Sequence, residues 1–302
     1  MKKLLTLIAC LAFGIGLSAQ ETYLFAHRDT CDLYLDVYRP AVLSAEKPAV
    51  LFVFGGGFIS GTRDDAFQKQ WFERLIDNGY PVVAIDYRLG MKGHKMGRGL
   101  SGAFKSSEQF FLSQQMGVED VFAAVRFLAE NDLGIDVGNL VLAGSSAGAI
   151  ISLASEYAIV NGRTAGLPEG FENFKGVMSF AGAIITVNGA PKFAKQPCPM
   201  LFLHGTADKA VEYNKFGAFG HGIYGSDYIV KQFKKKGFNN YCIYRFEGRT
   251  HDVAGYMNYV WNLEEDFLEM NVVKGLTRTL DCTLDISDLP VWTQVSLDSI
   301  YR

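Results

Sequence analysis

Three residues beside glycine-containing turns, Ser146, Asp208 and His251, could together carry nucleophilic chemistry. Ser146 is the centre of Gly144-Ser145-Ser146-Ala147-Gly148, which follows the apolar run Leu140-Val141-Leu142-Ala143 and precedes a run of small and aliphatic residues with helical character. A G-x-S-x-G pentapeptide at a strand-to-helix junction displays its serine on a sharp turn, where side chains at the flanking positions would collide with the neighbouring elements. The helix start adds free N–H groups and the positive end of a dipole, both of which favour a developing anion. A serine hydroxyl is a weak nucleophile near neutral pH, so it needs a base, and the base needs an orienting acid.

The chain supplies both in the order Ser, Asp, His. Asp208 ends the turn His204-Gly205-Thr206-Ala207-Asp208, and His251 lies in the glycine-flanked loop Glu247-Gly248-Arg249-Thr250-His251-Asp252-Val253-Ala254-Gly255. Among the five histidines, His27 near the mature N-terminus and His94 read as solvated. His204 ends a strand and is expected to hydrogen-bond locally and hold the Asp208 turn, while His221, in a "GHGIYG" loop, could line a pocket. His251 remains as the base. Asp252 is too close in sequence to orient its ring and Glu247 points away before the loop, so Asp208 is the acid. An acyl-transfer site also needs donors for its oxyanion. In Phe54-Gly55-Gly56-Gly57-Phe58, three glycines let backbone N–H groups face inward, and Gly56, Gly57 and Ala147 are the expected donors.

Positioning these groups requires strands that end together. From residue 33 the chain alternates short apolar runs with helical patterns, the signature of a largely parallel sheet covered on both faces. Strands are expected at residues 33–38, 49–54, 81–86, 140–143, 176–180, 200–204 and 241–246, and helices at 120–129 and, with a serine cap and Gly237 as its stop, at 226–236. In such a sheet active groups collect at the carboxyl ends of strands, and each candidate follows a different one. Residues 20–302 read as one domain, with an insertion at 89–117 long enough to be functional and a tail at 275–302 whose alternation in "TLDCTLDISDL" suggests packing outside the sheet.

The segments "LFVFGGGFISG", "VVAIDYRLG", "GIDVGNLVLAGSSAG" and "PMLFLHGTADKAV" resemble the α/β-hydrolase superfamily, nearest the hormone-sensitive-lipase-like and carboxylesterase branch, over roughly residues 33–270. The resemblance implies an α/β-hydrolase fold and ester hydrolysis through an acyl-serine. It also implies that Asp86, Arg88 and Asp120 brace the oxyanion loop. One departure matters: the family commonly has histidine before its three glycines, where this chain has Phe54, so other contacts must hold the loop.

The remaining composition bounds partners and compartment. Lys2-Lys3, an apolar stretch from Leu4 to Leu17 and Leu17-Ser18-Ala19 read as a signal peptide over residues 1–19, implying a secreted or periplasmic protein. A lipoprotein box ending at Cys10 is the minor alternative, and the apolar run is too short for stable membrane insertion. Losing Lys2 and Lys3 takes the formal charge from −3 to −5, which gives no reason to expect nucleic acid or an anionic membrane. With 49% hydrophobic and 20% charged residues the chain is not disordered. Cys31, Cys198, Cys242 and Cys282 survive cleavage; buried free thiols suit Cys198 and Cys242, and if a bridge exists Cys31 with Cys282 is the pairing expected. The G-x-G-x-x-G at residues 97–102 follows no strand, and there is no P-loop, H-E-x-x-H or paired C-x-x-C, so neither cofactor nor metal is expected.

The expected substrate is a small-molecule or oligosaccharide ester, with acetyl or feruloyl groups on plant polysaccharide as the chosen class. Phe58, Ser145, Phe104, Phe110, Phe111 and His221 are the candidates for lining it, set against the alternative that the phenylalanines simply cover the core. Small-ester carboxylesterase or lipase activity is the adjacent reading, and a non-catalytic binding protein on a hydrolase scaffold is the rival from another class. Oligomeric state is undetermined by sequence.

Overall fold

A computed structural model describes residues 20–97, 99–292 and 301. The signal-peptide and Cys10 expectations lie outside the described residues, as does part of the tail. In chain order the strands are β1 Glu21–Arg28, β2 Cys31–Tyr38, β3 Ala49–Val53, β4 Val82–Ile85, β5 Leu140–Ser145, β6 Gly176–Phe180, β7 Ala183–Thr186, β8 Met200–Gly205, β9 Lys215–Ala218, β10 His221–Gly225, β11 Tyr241–Phe246 and β12 Thr279–Leu284. The helices are α1 Ala66–Asp77, α2 Gly99–Glu130, α3 Ala147–Val160, α4 Ser226–Lys236 and α5 Trp261–Phe267.

Nine strands form one sheet in the order β1-β2-β4-β3-β5-β6-β8-β11-β12. The β1 and β2 strands are antiparallel and every pairing from β4 through β12 is parallel. Every residue of β3, β4, β5, β6 and β8 is buried, because helices on both faces leave no side for polar alternation. On α1, Asp65 caps the first turn by accepting from the Phe67 N–H, and Trp71, Phe72 and Leu75 turn inward. Phe52 of β3 meets the Trp71 and Phe72 rings at 5.4 and 5.2 Å.

The structure departs from expectation at His221, whose expected "GHGIYG" loop is strand β10, and in four further places. First, most of the 89–117 insertion is helical: α2 starts at Gly99, and its inward face carries Ser106, Ser113, Gln114 and Gly117 in place of aliphatics. The serine hydroxyls bond back to Gly102 and Gln109 carbonyls, and the Gln114 amide exchanges two bonds with the Ile185 backbone. A helix buried through small and polar groups does not show an apolar stripe. Second, "TLDCTLDISDL" does not pack outside the sheet; its first six residues, 279–284, are β12, the parallel edge strand beside β11. Third, α4 is capped by Gly225, and the Ser226 hydroxyl bonds the His204 ring instead; Gly237, at φ 71°, ends the helix as expected. Fourth, Cys31 and Cys282 are not paired, while Cys198 and Cys242 are buried free thiols as expected. Cys31 in β2 and Cys282 in β12 are seven strand spacings apart, about 30 Å, far beyond the reach of a disulfide.

Candidate active site

Ser146 stands between β5 and α3 with φ 52° and ψ −116°, a conformation that a non-glycine residue adopts only when its surroundings impose it. Its N–H donates to the Phe180 carbonyl at 2.9 Å and its carbonyl accepts from Ile150 N–H at 2.9 Å, fixing both flanking peptides. The flanking glycines have a steric cause. A Cβ on Gly144 would stand 2.3 Å from the Gly148 carbonyl oxygen, and a Cβ on Gly148 would stand 2.0 Å from the Val53 carbonyl oxygen. The turn is therefore wedged between β5, α3 and β3 with no room for side chains.

The Ser146 hydroxyl lies 2.8 Å from His251 Nε2, and His251 Nδ1 lies 2.7 Å from Asp208 Oδ2. A carboxylate only accepts, so Nδ1 carries the ring proton and Nε2 is left to accept from the serine. Asp208 is fully buried at the turn after β8. Its Oδ1 accepts from the Ala210 and Val211 N–H groups at 2.9 and 3.0 Å. Burial raises its pKa, but hydrogen bonds from His204 and His251 outweigh that and hold the carboxyl well below the usual range. His204 does brace this turn: its Nε2 lies 3.0 Å from the Val211 carbonyl and 3.3 Å from Asp208 Oδ2, and its Nδ1 lies 2.8 Å from the Ser226 hydroxyl. Facing two acceptors, Nε2 must carry the proton and Nδ1 takes the serine O–H.

His251 opens a 3-10 helix, His251–Asn258, whose position is set by two sides of the fold. From inside, the Ser145 hydroxyl donates to the Ala254 carbonyl at 2.7 Å. From outside, the chain beyond β12 returns over it: Glu247 N–H donates to the Leu284 carbonyl, Arg249 to the Ile286 and Ser287 carbonyls, Tyr256 O–H to the Pro290 carbonyl and Trp292 N–H to Asp252 Oδ1. Asp252 is thus engaged by the tail and Glu247 is exposed, which leaves Asp208 as the carboxylate on the imidazole.

The glycine loop after β3 runs beside the same turn. A Cβ on Gly55 would stand 3.3 Å from the Ser146 Cβ. The Gly56 carbonyl is turned away, accepting from Ile59 and Ser60 N–H groups at 3.1 Å, and the Gly55 carbonyl accepts from Tyr87 O–H at 3.4 Å. The N–H groups of Gly56, Gly57 and Ala147 have no acceptor among the described residues. In place of the family histidine, the Phe54 ring packs on Tyr87 with centroids 4.5 Å apart. Further support is ionic: Arg63, just beyond the loop, reaches Asp86 at 2.8 Å and Asp36 at 2.9 Å, and Arg88 reaches Asp120 at 2.9 Å.

The expected substrate contacts divide. Phe58 is buried against Tyr87 and the Ser145 hydroxyl is occupied by Ala254, so neither presents a surface to a ligand. Phe110 and Phe111 pack on the core, Phe110 against Tyr301. Phe104 stands 5.0 Å from His221 and 6.0 Å from Phe219, with the His221 ring held by the Ser107 hydroxyl at 2.9 Å. Tyr87 and Tyr301 were not foreseen as parts of the site. Tyr87 had a signal in its place right after the Asp86 strand end, whereas Tyr301 had none.

This architecture is shared with solved esterases. Over 83% of this chain and 91% of the other, the apo form of Thermogutta terrifontis esterase 2 superposes with a TM-score of 0.55 at 22% identity. The butyrate-bound form gives 0.54 at 21% identity over the same shares. The chain has the α/β-hydrolase fold. The BD-FAE family model matches residues 35–95, which include the glycine loop. The chain's sequence is 32% identical over 119 residues to gut esterase 1 of Caenorhabditis briggsae, covering 39% of this chain and 19% of that protein. It is 31% identical over 112 residues to esterase LipI of Mycobacterium tuberculosis, covering 36% and 28%. A 73-residue stretch, 23% of the chain, is 38% identical to the non-reducing polyketide synthase prhL of Penicillium brasilianum, of which it is 3%. The matched stretches thus span less than a third of each of these relatives. No described helix is long and apolar enough to cross a membrane.

Proposed function

We propose that this α/β-hydrolase is a serine esterase that cleaves carboxylic esters through an acyl-serine. The observation that carries this reading is the unbroken chain of hydrogen bonds from Ser146 Oγ through His251 to Asp208, 2.8 and 2.7 Å long. Ser146 Oγ attacks the ester carbonyl carbon while its proton passes to His251 Nε2, and Asp208 stabilises the imidazolium that forms. The negative oxygen of the tetrahedral adduct takes the N–H groups of Gly56, Gly57 and Ala147. His251 then gives its proton to the alcohol oxygen, the alcohol leaves, and water repeats the cycle on the acyl group to free the acid and restore Ser146.

The substrate class is a small or oligosaccharide ester, with acetyl or feruloyl groups on plant polysaccharide as its natural form and an exported enzyme as its setting. Support comes from the aromatic surface beside His221, where Phe219, 81% exposed, stands 6.0 Å from Phe104, and Phe216 of the neighbouring β9 is 73% exposed. Rings held at a surface offer a stacking face to a sugar or a phenolic acyl group.

A fluorophosphonate probe and a short acyl ester test the chemistry. Wild-type protein is expected to be labelled and active, Ser146→Ala neither. Undiminished turnover by Ser146→Ala refutes the nucleophile, and absent labelling of a folded wild type favours a non-catalytic binder. For substrate class, acetylated xylan, feruloyl esters and acyl chains of graded length are compared. A clear preference for long chains overturns the polysaccharide assignment.

A further inference from the structure

We infer that Tyr301, the penultimate residue, is a positioning residue of the oxyanion loop. This rests on the serine-esterase reading above and adds a component to it. The loop Gly55-Gly56-Gly57 lacks the histidine common before such glycines, and its peptide planes must be fixed from elsewhere if their N–H groups are to be aimed in advance. Two of the three planes are fixed from within the domain: Tyr87 holds the Gly55 carbonyl and the turn N–H groups of Ile59 and Ser60 hold the Gly56 carbonyl. The third carbonyl, that of Gly57, shares its peptide with the Phe58 N–H, directly after the two planes that carry the Gly56 and Gly57 N–H groups, and it accepts a hydrogen bond from the Tyr301 hydroxyl.

That tyrosine is no casual surface contact. It is 6% exposed, and its ring stands edge-on to Phe110 of α2 with centroids 5.1 Å apart. Burial pushes its hydroxyl pKa well up, so the group stays a neutral donor. The loop is flexible by composition, since Gly56 and Gly57 adopt φ of 112° and 62° and have no side chains to anchor them. A bond on the Gly57 carbonyl fixes one end of the loop directly. The chain leading to this residue is fastened to the other half of the site, through Trp292 N–H on Asp252 and the Pro290 carbonyl on Tyr256. Pro290 and Trp292 therefore touch the loop that carries the base, and Tyr301 the loop that receives the oxyanion.

The test is Tyr301→Phe, which keeps the ring on Phe110 and removes only the hydroxyl. Because it acts on transition-state charge, it is expected to lower kcat on a short acyl ester by about fivefold to tenfold with KM little changed. It should also weaken a trifluoromethyl ketone, which forms a hemiketal oxyanion on Ser146, by the same factor. Melting temperature should not move. A chain ending at Ile300 should show at least the same loss of kcat. If Tyr301→Phe keeps kcat and inhibitor affinity within about twofold of wild type, or if KM and melting temperature shift while inhibitor affinity does not, the inference is overturned. Failure of the underlying esterase reading shows differently, as activity that survives Ser146→Ala.

Discussion

Gly148→Ala tests whether the nucleophile turn is as tightly wedged as the geometry requires. The added Cβ would lie 2.0 Å from the Val53 carbonyl oxygen, 2.5 Å from that of Phe54 and 2.6 Å from the Val53 carbonyl carbon, all backbone atoms, whereas ordinary contact begins at 3.4 Å. No rotamer change relieves a clash with backbone, so α3 and β3 must separate by about 1.4 Å, the difference between 2.0 and 3.4 Å. Ser146 leads α3 and the oxyanion loop follows β3, so this separation acts directly on the distance between nucleophile and donors. A misplacement of about 1 Å costs on the order of 100-fold in rate, while overpacking costs about 1–3 kcal/mol, or about 2–4 °C of Tm per kcal/mol at this chain length. The expected outcome is a folded variant with a modestly lower melting temperature and kcat/KM down by about two orders of magnitude. Gly162→Ala at the far end of the same helix is the control. Its φ is 74° but nothing stands within 4 Å of the added Cβ, so it should lose about 1–2 kcal/mol of stability from backbone strain alone and keep its rate. The reasoning is refuted if Gly148→Ala stays within about threefold of wild type well below its melting temperature, or if Gly162→Ala loses activity to the same degree.

Asp208→Asn should leave the fold intact and lower kcat by about 10⁴-fold, because an amide can hold the imidazole in the wrong tautomer; steady-state kinetics at saturating ester checks this. The same substitution alters acid stability. A carboxyl held below its unfolded pKa of about 3.9 stabilises the fold above that pH and loses the contribution as pH falls toward the folded value, so the steep acid-side loss in wild-type urea midpoints should be shallower in Asp208→Asn. Glu264 works in the opposite sense. It is fully buried with Trp71 Nε1 donating at 2.5 Å, and burial drives its pKa well up. Such a group favours folding while protonated, and its contribution declines as pH rises from its unfolded value toward its folded one. Glu264→Gln should flatten the fall in stability across that range, and equal slopes for the two proteins would contradict it. Finally, alkylation should label exposed Cys31 equally with and without reductant; protection lifted only by reductant would restore the disulfide.

How much of this was legible in the sequence follows from how local each cause is. The parallel strands from β3 to β11 were readable because burial on both faces leaves uninterrupted apolar runs, and the Ser146, Asp208 and His251 turns because each places glycine at a strand end. The long α2 was not, since its buried face uses Ser106 and Ser113, which bond carbonyls one turn back, Gln114, whose partner is the Ile185 backbone 71 residues away, and Gly117, none of which makes an apolar stripe. Pairing at the sheet edge was equally hidden: β12 docks on β11 by register alone, and half of its residues are exposed. Phe58 misled because a residue after a glycine run suggests a pocket wall, yet at φ 61° its ring is swung into the core. Tyr301 stands 244 residues from the carbonyl it binds, a distance over which no spacing rule operates.

Replacing histidine with Phe54 has an electrical consequence. Beside its Arg63 ion pairs, the glycine loop rests on Phe54, Tyr87 and Tyr301, an aromatic ring that cannot ionise and two phenols whose burial raises their pKa far above neutrality. Mild alkali therefore finds no proton to remove from the two hydroxyls that bond the Gly55 and Gly57 carbonyls. The loop's anchoring hydrogen bonds thus keep their donors from neutral into mildly alkaline solution.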